Sequence, residues 1–124
     1  MPGNPVSWFE LGVSDMARAR RFYETVLGVS LTNMPTEEVP DYWAFPMRDD
    51  QVGAGGALTL MPQMPPGPGG TLVYFQCDDC SVEEGRVEPA GGRVLRSKRR
   101  VGHYGCIAIC EDTEGNPFGL YSQA

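Results

Sequence analysis

A single histidine, His103, is the most restrictive chemical fact in the chain. One chain with one imidazole cannot build a two-His-one-carboxylate iron site or a three-His zinc site. Four cysteines follow a Cys-x-x-Cys and a Cys-x-x-x-Cys spacing: Cys77 with Cys80, and Cys106 with Cys110. Four thiolates suit zinc. The contexts, however, are apolar and strand-like, and Cys106-Ile107-Ala108-Ile109-Cys110 alternates so that both thiols share one face. Buried, reduced thiols are the expectation. A redox pair at Cys77 and Cys80 is disfavoured by the intervening Asp78-Asp79, which opposes thiolate formation. The run Arg96, Lys98, Arg99, Arg100 is either an anchor for a phosphate or carboxylate or, as expected here, a solvated edge strand. Gly55-Gly56 lacks the lysine and helix of a phosphate loop, so it reads as a turn. No Ser/His/Asp triad is assignable.

The elements that must position these residues are legible. The chain has 124 residues, 41% hydrophobic and 21% charged, the size and make-up of one globular domain. No apolar run approaches the roughly 20 residues of a membrane span. The first residues, Met1-Pro2-Gly3-Asn4-Pro5, have neither a basic stretch nor an apolar one, so a soluble, cytoplasmic protein is expected. A net charge of −6 disfavours nucleic acid and anionic membranes as partners and suits a neutral or cationic small ligand.

The segment from Met61 to Gly70, rich in proline and glycine, separates two similar pieces, about 5–61 and 71–122, within a single domain over 1–124. In the first piece, Ser7–Val13 reads as a strand. Asp15 then caps a helix carrying Met16, Ala19, Phe22, Tyr23, Val26 and Leu27 at helical spacing, and Gly28 ends it. Val29–Met34, Tyr42–Met47 and Gly55–Met61 read as three strands. In the second piece, Thr71–Cys77 is the strand and Asp79 stands 64 positions after Asp15. Ser81-Val82-Glu83-Glu84 reads as a capping box. The helix weakens at Pro89 and closes at Gly92, again 64 positions after its counterpart. Arg93–Ser97, Tyr104–Cys110 and Pro117–Ser122 complete the piece, the last two joined by a turn at Glu114-Gly115-Asn116. The fold class is therefore α+β: tandem βαβββ modules forming a curved mixed sheet around a cavity.

This duplication resembles the vicinal oxygen chelate superfamily, which includes glyoxalase I, bleomycin-resistance proteins and extradiol dioxygenases. The resemblance rests on Phe9-Glu10-Leu11-Gly12-Val13-Ser14-Asp15-Met16, Phe22-Tyr23, Leu27-Gly28 and Glu111-Asp112-Thr113-Glu114-Gly115-Asn116-Pro117-Phe118-Gly119-Leu120, and it covers almost the whole chain. It implies homodimers and, in the family's metalloenzymes, four strand positions that hold a divalent metal. Those positions fall here on Trp8, near Thr59 to Met61, on Leu72 and on Gly119. Tryptophan, leucine and glycine side chains cannot coordinate a divalent metal, so no metal cofactor is expected.

With Trp8 at a former ligand position, strand period puts Glu10 and Gly12 on its face and Phe9, Leu11 and Val13 under the helix. In the second piece Leu72, Tyr74, Gln76, Gly119 and Tyr121 face inward by the same count. The expected site thus has catalytic candidates Glu10 and His103, and ligand-binding candidates Trp8, Trp43, Tyr74, Gln76 and Tyr121. Glu10 is a general base in an apolar setting, or a structurally satisfied carboxylate. His103, flanked by glycines, is an acid–base group at a pocket mouth or an exposed loop residue. Trp43 with Phe45 and Met47 lines a cavity or belongs to the core. Function is expected to be metal-free binding of a small organic molecule, an organic cation being one fit. The alternative is a metal-independent lyase or isomerase using Glu10 with His103 or Tyr74. A lactoylglutathione lyase-type metalloenzyme comes third.

Overall fold

The computed structural model describes residues 3–50 and 52–124. It is a mixed α+β protein of two compact units, one spanning Trp8–Thr71 and the other made of residues up to Ser7 and from Leu72 onward.

The first unit contains most of β1 (Val6–Gly12), α1 (Met16–Leu27), β2 (Thr32–Asn33), β3 (Tyr42–Ala44) and β4 (Gly55–Thr59). Its strand order is β2-β3-β4-β1, with β1 and β4 parallel and the other neighbours antiparallel. Asp15 caps α1 by accepting the Arg18 amide at 3.0 Å. Gly28 stops the helix in the left-handed conformation, φ 66°, and returns its N–H to Glu24. Both ends match the sequence expectation. The core lies between α1 and one sheet face: Val13, Met16, Leu31 and Leu58, ringed by Leu11, Ala19, Tyr23, Trp43 and Phe45. Complete burial of Leu58 contributes about 2 kcal/mol. β2 and β3 are shorter than the expected Val29–Met34 and Tyr42–Met47, and β4 stops at Thr59. Pro46 has no N–H for a ladder beyond Ala44.

The second unit contains β5 (Thr71–Gln76), α2 (Cys80–Val87), β6 (Arg93–Arg100), β7 (Cys106–Glu111) and β8 (Pro117–Ser122), in the order β5-β8-β7-β6. β5 and β8 are parallel, β8-β7 and β7-β6 antiparallel. Asp79 caps α2 by accepting Ser81 N–H at 3.0 Å and its hydroxyl at 2.7 Å. The expected capping box is corrected here. Ser81 lies inside the helix, and Glu84 accepts the Lys98 amide at 2.5 Å instead of reaching back to a cap. The helix ends at Val87, two residues before Pro89. Gly91 takes the left-handed conformation, φ 104°, and the Gly92 amide bonds Val87. The four cysteines, Ala108 and Leu120 form this unit's helix-side core. β6 runs three residues past the expected Ser97, its pairing with β7 continuing to Arg100, and its charges divide between the two faces. Lys98 turns to Asp79 on the α2 side at 2.8 Å, while Arg96 and Arg99 pair with Ile109 and Ile107.

Candidate functional site

In the first unit the strand period fixes which side chains can meet a ligand. Leu11 and Val13 pack under α1, so Trp8, Glu10 and Gly12 point to the opposite face. β4 lies parallel beside β1, with Glu10 opposite Ala57 and Trp8 opposite Gly55. On β3, Trp43 pairs with Leu58 on the α1 face, which leaves Tyr42 on the face of Glu10.

Three of these side chains form a hydrogen-bond chain. The Trp8 indole Nε1–H donates to the Tyr42 hydroxyl at 2.8 Å, and that hydroxyl donates to Glu10 Oε2 at 2.5 Å. Glu10 is 7% exposed, so this is a buried carboxylate that a neighbouring phenol satisfies. The Trp8 ring lies over Gly55, where an added methyl would stand 2.9 Å from Cζ3. The fully buried Thr59, opposite both Gly12 and Tyr42, has a hydroxyl with no protein partner. The Met61–Gly70 segment folds against the end of this face. The Gly12 amide donates to the Gly70 carbonyl at 2.7 Å, and the Met64 carbonyl sits where a Cβ on Gly12 would be. Only glycine fits at position 12.

In the second unit Phe75 packs on the α2 side, so Tyr74 points away from α2. Its buried ring covers Gly119, its register partner on β8. Tyr121 donates its hydroxyl to the Tyr104 carbonyl and accepts the Gln123 amide, both at 2.5 Å. Burial pushes the Tyr121 hydroxyl pKa up. Gln76, opposite Tyr121, is exposed and its amide donates to the Cys77 carbonyl at 3.3 Å. His103 is exposed in the tight 101–105 turn, closed by the Val101 amide on Gly105, and its ring stacks on Tyr104 at 4.1 Å.

The expected candidates are divided between the two units. Trp8 and Glu10 both bond the Tyr42 hydroxyl. Tyr74, Gln76 and Tyr121 belong to one face of the other unit, and His103 contacts only its turn neighbour among the ring contacts there. Trp43 is corrected: it packs on the α1 side, its ring 3.5 Å beneath the Arg20 guanidinium, with its own Nε1–H on Asp41 at 2.8 Å. The residue that sequence reasoning missed is Tyr42. Once Trp43 is assigned to the core, the two-residue period puts Tyr42 on the face of Glu10.

The strand registers also revise the metal positions. Tyr74 pairs with Gly119 as Glu10 pairs with Ala57, and Tyr74 follows Glu10 by the same 64 positions as Asp79 follows Asp15. Ala57, not the Thr59–Met61 stretch, is thus the counterpart of Gly119. The two positions of the first unit are Trp8 and Ala57; those of the second are Leu72 and Gly119. None carries a metal donor, and at Gly119 the Tyr74 ring fills the place a ligand side chain would need. At these four positions the side chains do not fit a divalent metal. The four thiols belong to the α2-side core of the second unit. Desolvation pushes Cys77 up to about 12 and Cys110 up to about 11.

A family model described as Glyoxalase/Bleomycin resistance protein/Dioxygenase superfamily matches residues 6–120. The anthracycline biosynthesis protein DnrV of Streptomyces peucetius is 30% identical over 97% of this chain and 47% of its own length. CFP32 of Mycobacterium tuberculosis, which carries a glyoxylase name, is 28% identical over 94% of this chain and 43% of its own. The chain thus spans under half the length of these curated relatives. Among solved structures, a methylmalonyl-CoA epimerase of Streptomyces coelicolor in complex with 2-nitronate-propionyl-CoA superposes with a TM-score of 0.68. It has 18% identity, with 98% of this chain and 95% of that chain covered. Protein BH1468 of Bacillus halodurans gives 0.71 at 10% identity, covering 96% of this chain and 94% of its own. At these identities the structures share the fold alone.

Proposed function

We propose that this chain, which belongs to the Glyoxalase/Bleomycin resistance protein/Dioxygenase superfamily, binds a small organic molecule and does so without the family's divalent metal. The observation that carries the reading is the Trp8–Tyr42–Glu10 hydrogen-bond chain. A buried carboxylate with an aromatic wall on a helix-free sheet face is the make-up of a small-ligand site: apolar lining with a few placed polar groups. The absence of donor side chains at Trp8, Ala57, Leu72 and Gly119 supports the metal-free part. DnrV is an anthracycline biosynthesis protein, and an aromatic wall suits an aromatic ligand. Homodimerisation belongs to the same reading, and light scattering measures it.

A second reading is favoured by the Glu10–Tyr42 bond itself. A carboxylate within 2.5 Å of a phenol is placed to take or return a proton at a carbon acid, as a metal-independent lyase or isomerase requires.

The test combines elemental mass spectrometry with binding of N-phenyl-1-naphthylamine, a neutral aromatic fluorescent probe. The expected result is far less than one metal per chain and saturable probe binding that Tyr42→Phe and Glu10→Gln weaken without unfolding the protein. One tightly held divalent metal per chain, lost together with binding on chelation, overturns the metal-free reading. No saturable binding overturns the binding reading.

A further inference from the structure

The Trp8–Tyr42–Glu10 chain belongs to the first unit, and the second unit carries a further arrangement of side chains. Cross-strand register lines up two rows on the sheet face away from α2. One row runs Gln76, Tyr121, Ile107, Arg99; the other runs Tyr74, Gly119, Ile109, Arg96. The opposite face is independently fixed by Cys106, Cys110 and Leu120 in the core and by Lys98 on the α2 cap, so the alternation is secure. Each row begins with polar or aromatic groups on the inner strands, crosses an isoleucine floor on β7, and ends in an arginine on β6.

We infer that this face selects an organic anion: an apolar, preferably aromatic body laid on Ile107 and Ile109 beside Tyr121, with its carboxylate, phosphate or sulfonate held by Arg96 and Arg99. The inference names a ligand class for the small-molecule reading above and rests on it. Neighbouring β-strands lie about 4.8 Å apart, so the β6 arginines and the β8 tyrosine are about 10 Å apart, the span of a bicyclic ring system with an acidic substituent. Planar guanidinium groups are suited to oxyanions because they donate two parallel N–H bonds. Arg96 and Arg99 already engage neighbours in the folded protein, so the incoming anion exchanges one set of contacts for another. Two arginines on one face also run against the net charge of −6, which by itself favours a neutral or cationic ligand. At contact distance the local pair outweighs charges screened beyond a Debye length of about 8 Å.

The experiment compares two probes with one body: 8-anilinonaphthalene-1-sulfonate and its uncharged analogue N-phenyl-1-naphthylamine. Fluorescence titrations use the full chain and the variants Arg96→Gln, Arg99→Gln and Arg99→Lys, each first checked by thermal melting. The sulfonate is expected to bind more tightly than the neutral probe. Arg99→Gln and Arg96→Gln should each weaken the sulfonate about tenfold, the loss of a charge-assisted contact, and leave the neutral probe within about twofold. Arg99→Lys should restore part of the sulfonate affinity. Equal weakening of both probes, or no change in either, overturns the anion assignment while the binding reading stands. Failure of both probes to bind the unmodified chain overturns both. A glutamine variant that does not fold is replaced by Arg96→Lys and Arg99→Lys. Their sulfonate affinity must then fall with salt more steeply than the neutral probe's, and equal salt slopes again overturn the assignment.

Discussion

The Tyr42 hydroxyl reaches Glu10 Oε2 across an intervening strand. Tyr42 lies on β3 and Glu10 on β1, with β4 between them. Glu10 stands opposite Ala57 on that middle strand, and a methyl group there leaves the passage open to the phenol.

Removing the hydroxyl tests the bond. Tyr42→Phe keeps the ring and leaves a buried carboxylate oxygen without its donor, so stability should fall by about 1–3 kcal/mol in urea unfolding. Tyr42→Phe made on a Glu10→Gln background should cost measurably less, because the charge to be satisfied is already gone. Additive losses would show that the bond contributes nothing beyond its parts.

Much of this architecture was legible in the residues. Asp15 and Gly28 announced the first helix by cap chemistry, which is local and survives without tertiary information, whereas the second helix was placed by its 64-position repeat and its capping residue was misassigned to Ser81. The faces of β1 and β5 followed from the two-residue period. What failed was non-local. Trp43 looked like a site residue because a three-residue strand carries too little pattern to show which face the helix covers. Ala57 was missed because the 64-position offset between the pieces shrinks to 62 at β4 and β8, where the connecting loops differ in length, and only pairing register reveals it. The arginine rows were hidden for a related reason: irregular register between Val94, Arg96 and Arg99 breaks the simple alternation of β6.

Glycines 119 and 85 separate steric from conformational effects. At Gly119 a methyl group meets the Tyr74 ring, so Gly119→Ala should destabilise by about 1–3 kcal/mol through displaced packing. Gly85, inside α2, has open space around it, so Gly85→Ala should stabilise by about 0.5–1 kcal/mol. Paired thermal melts check both. The same sign at the two sites would refute the ring seat.

The thiols give a prediction at alkaline pH. Cys77 and Cys110 hold their protons to about 12 and about 11 because burial disfavours thiolate, whereas their ordinary value is 9.0. The unfolded chain therefore loses these protons first. Stability should be level below pH 9 and fall as pH rises from 9 through 11, with the remainder of the Cys77 contribution lost toward 12. At pH 8 a thiol reagent should label few cysteines in the native protein and all four after denaturation. Rapid native labelling of all four would show that this core opens freely.

At the acid end the controlling pair is Asp79 and Lys98, 2.8 Å apart. Hydrogen bonds from Lys98 and Ser81 hold the Asp79 carboxyl down to about 2, below its ordinary 3.8, and Asp79 raises the Lys98 ammonium in return. The folded protein thus binds the Asp79 proton more weakly than the unfolded chain. Its contribution is complete above pH 3.8 and drains away as pH falls toward 2. Asp79→Asn retains a cap oxygen for the Ser81 amide but loses the charge facing Lys98, so it should lower stability at neutral pH and converge with the unmodified protein near pH 2. Asp79→Ala also loses the cap and should remain less stable at every pH. Chemical unfolding at pH 7, 4 and 2 distinguishes the two. If Asp79→Asn runs parallel to the unmodified protein over that range, the Lys98 contact contributes nothing in solution, as many exposed ion pairs do.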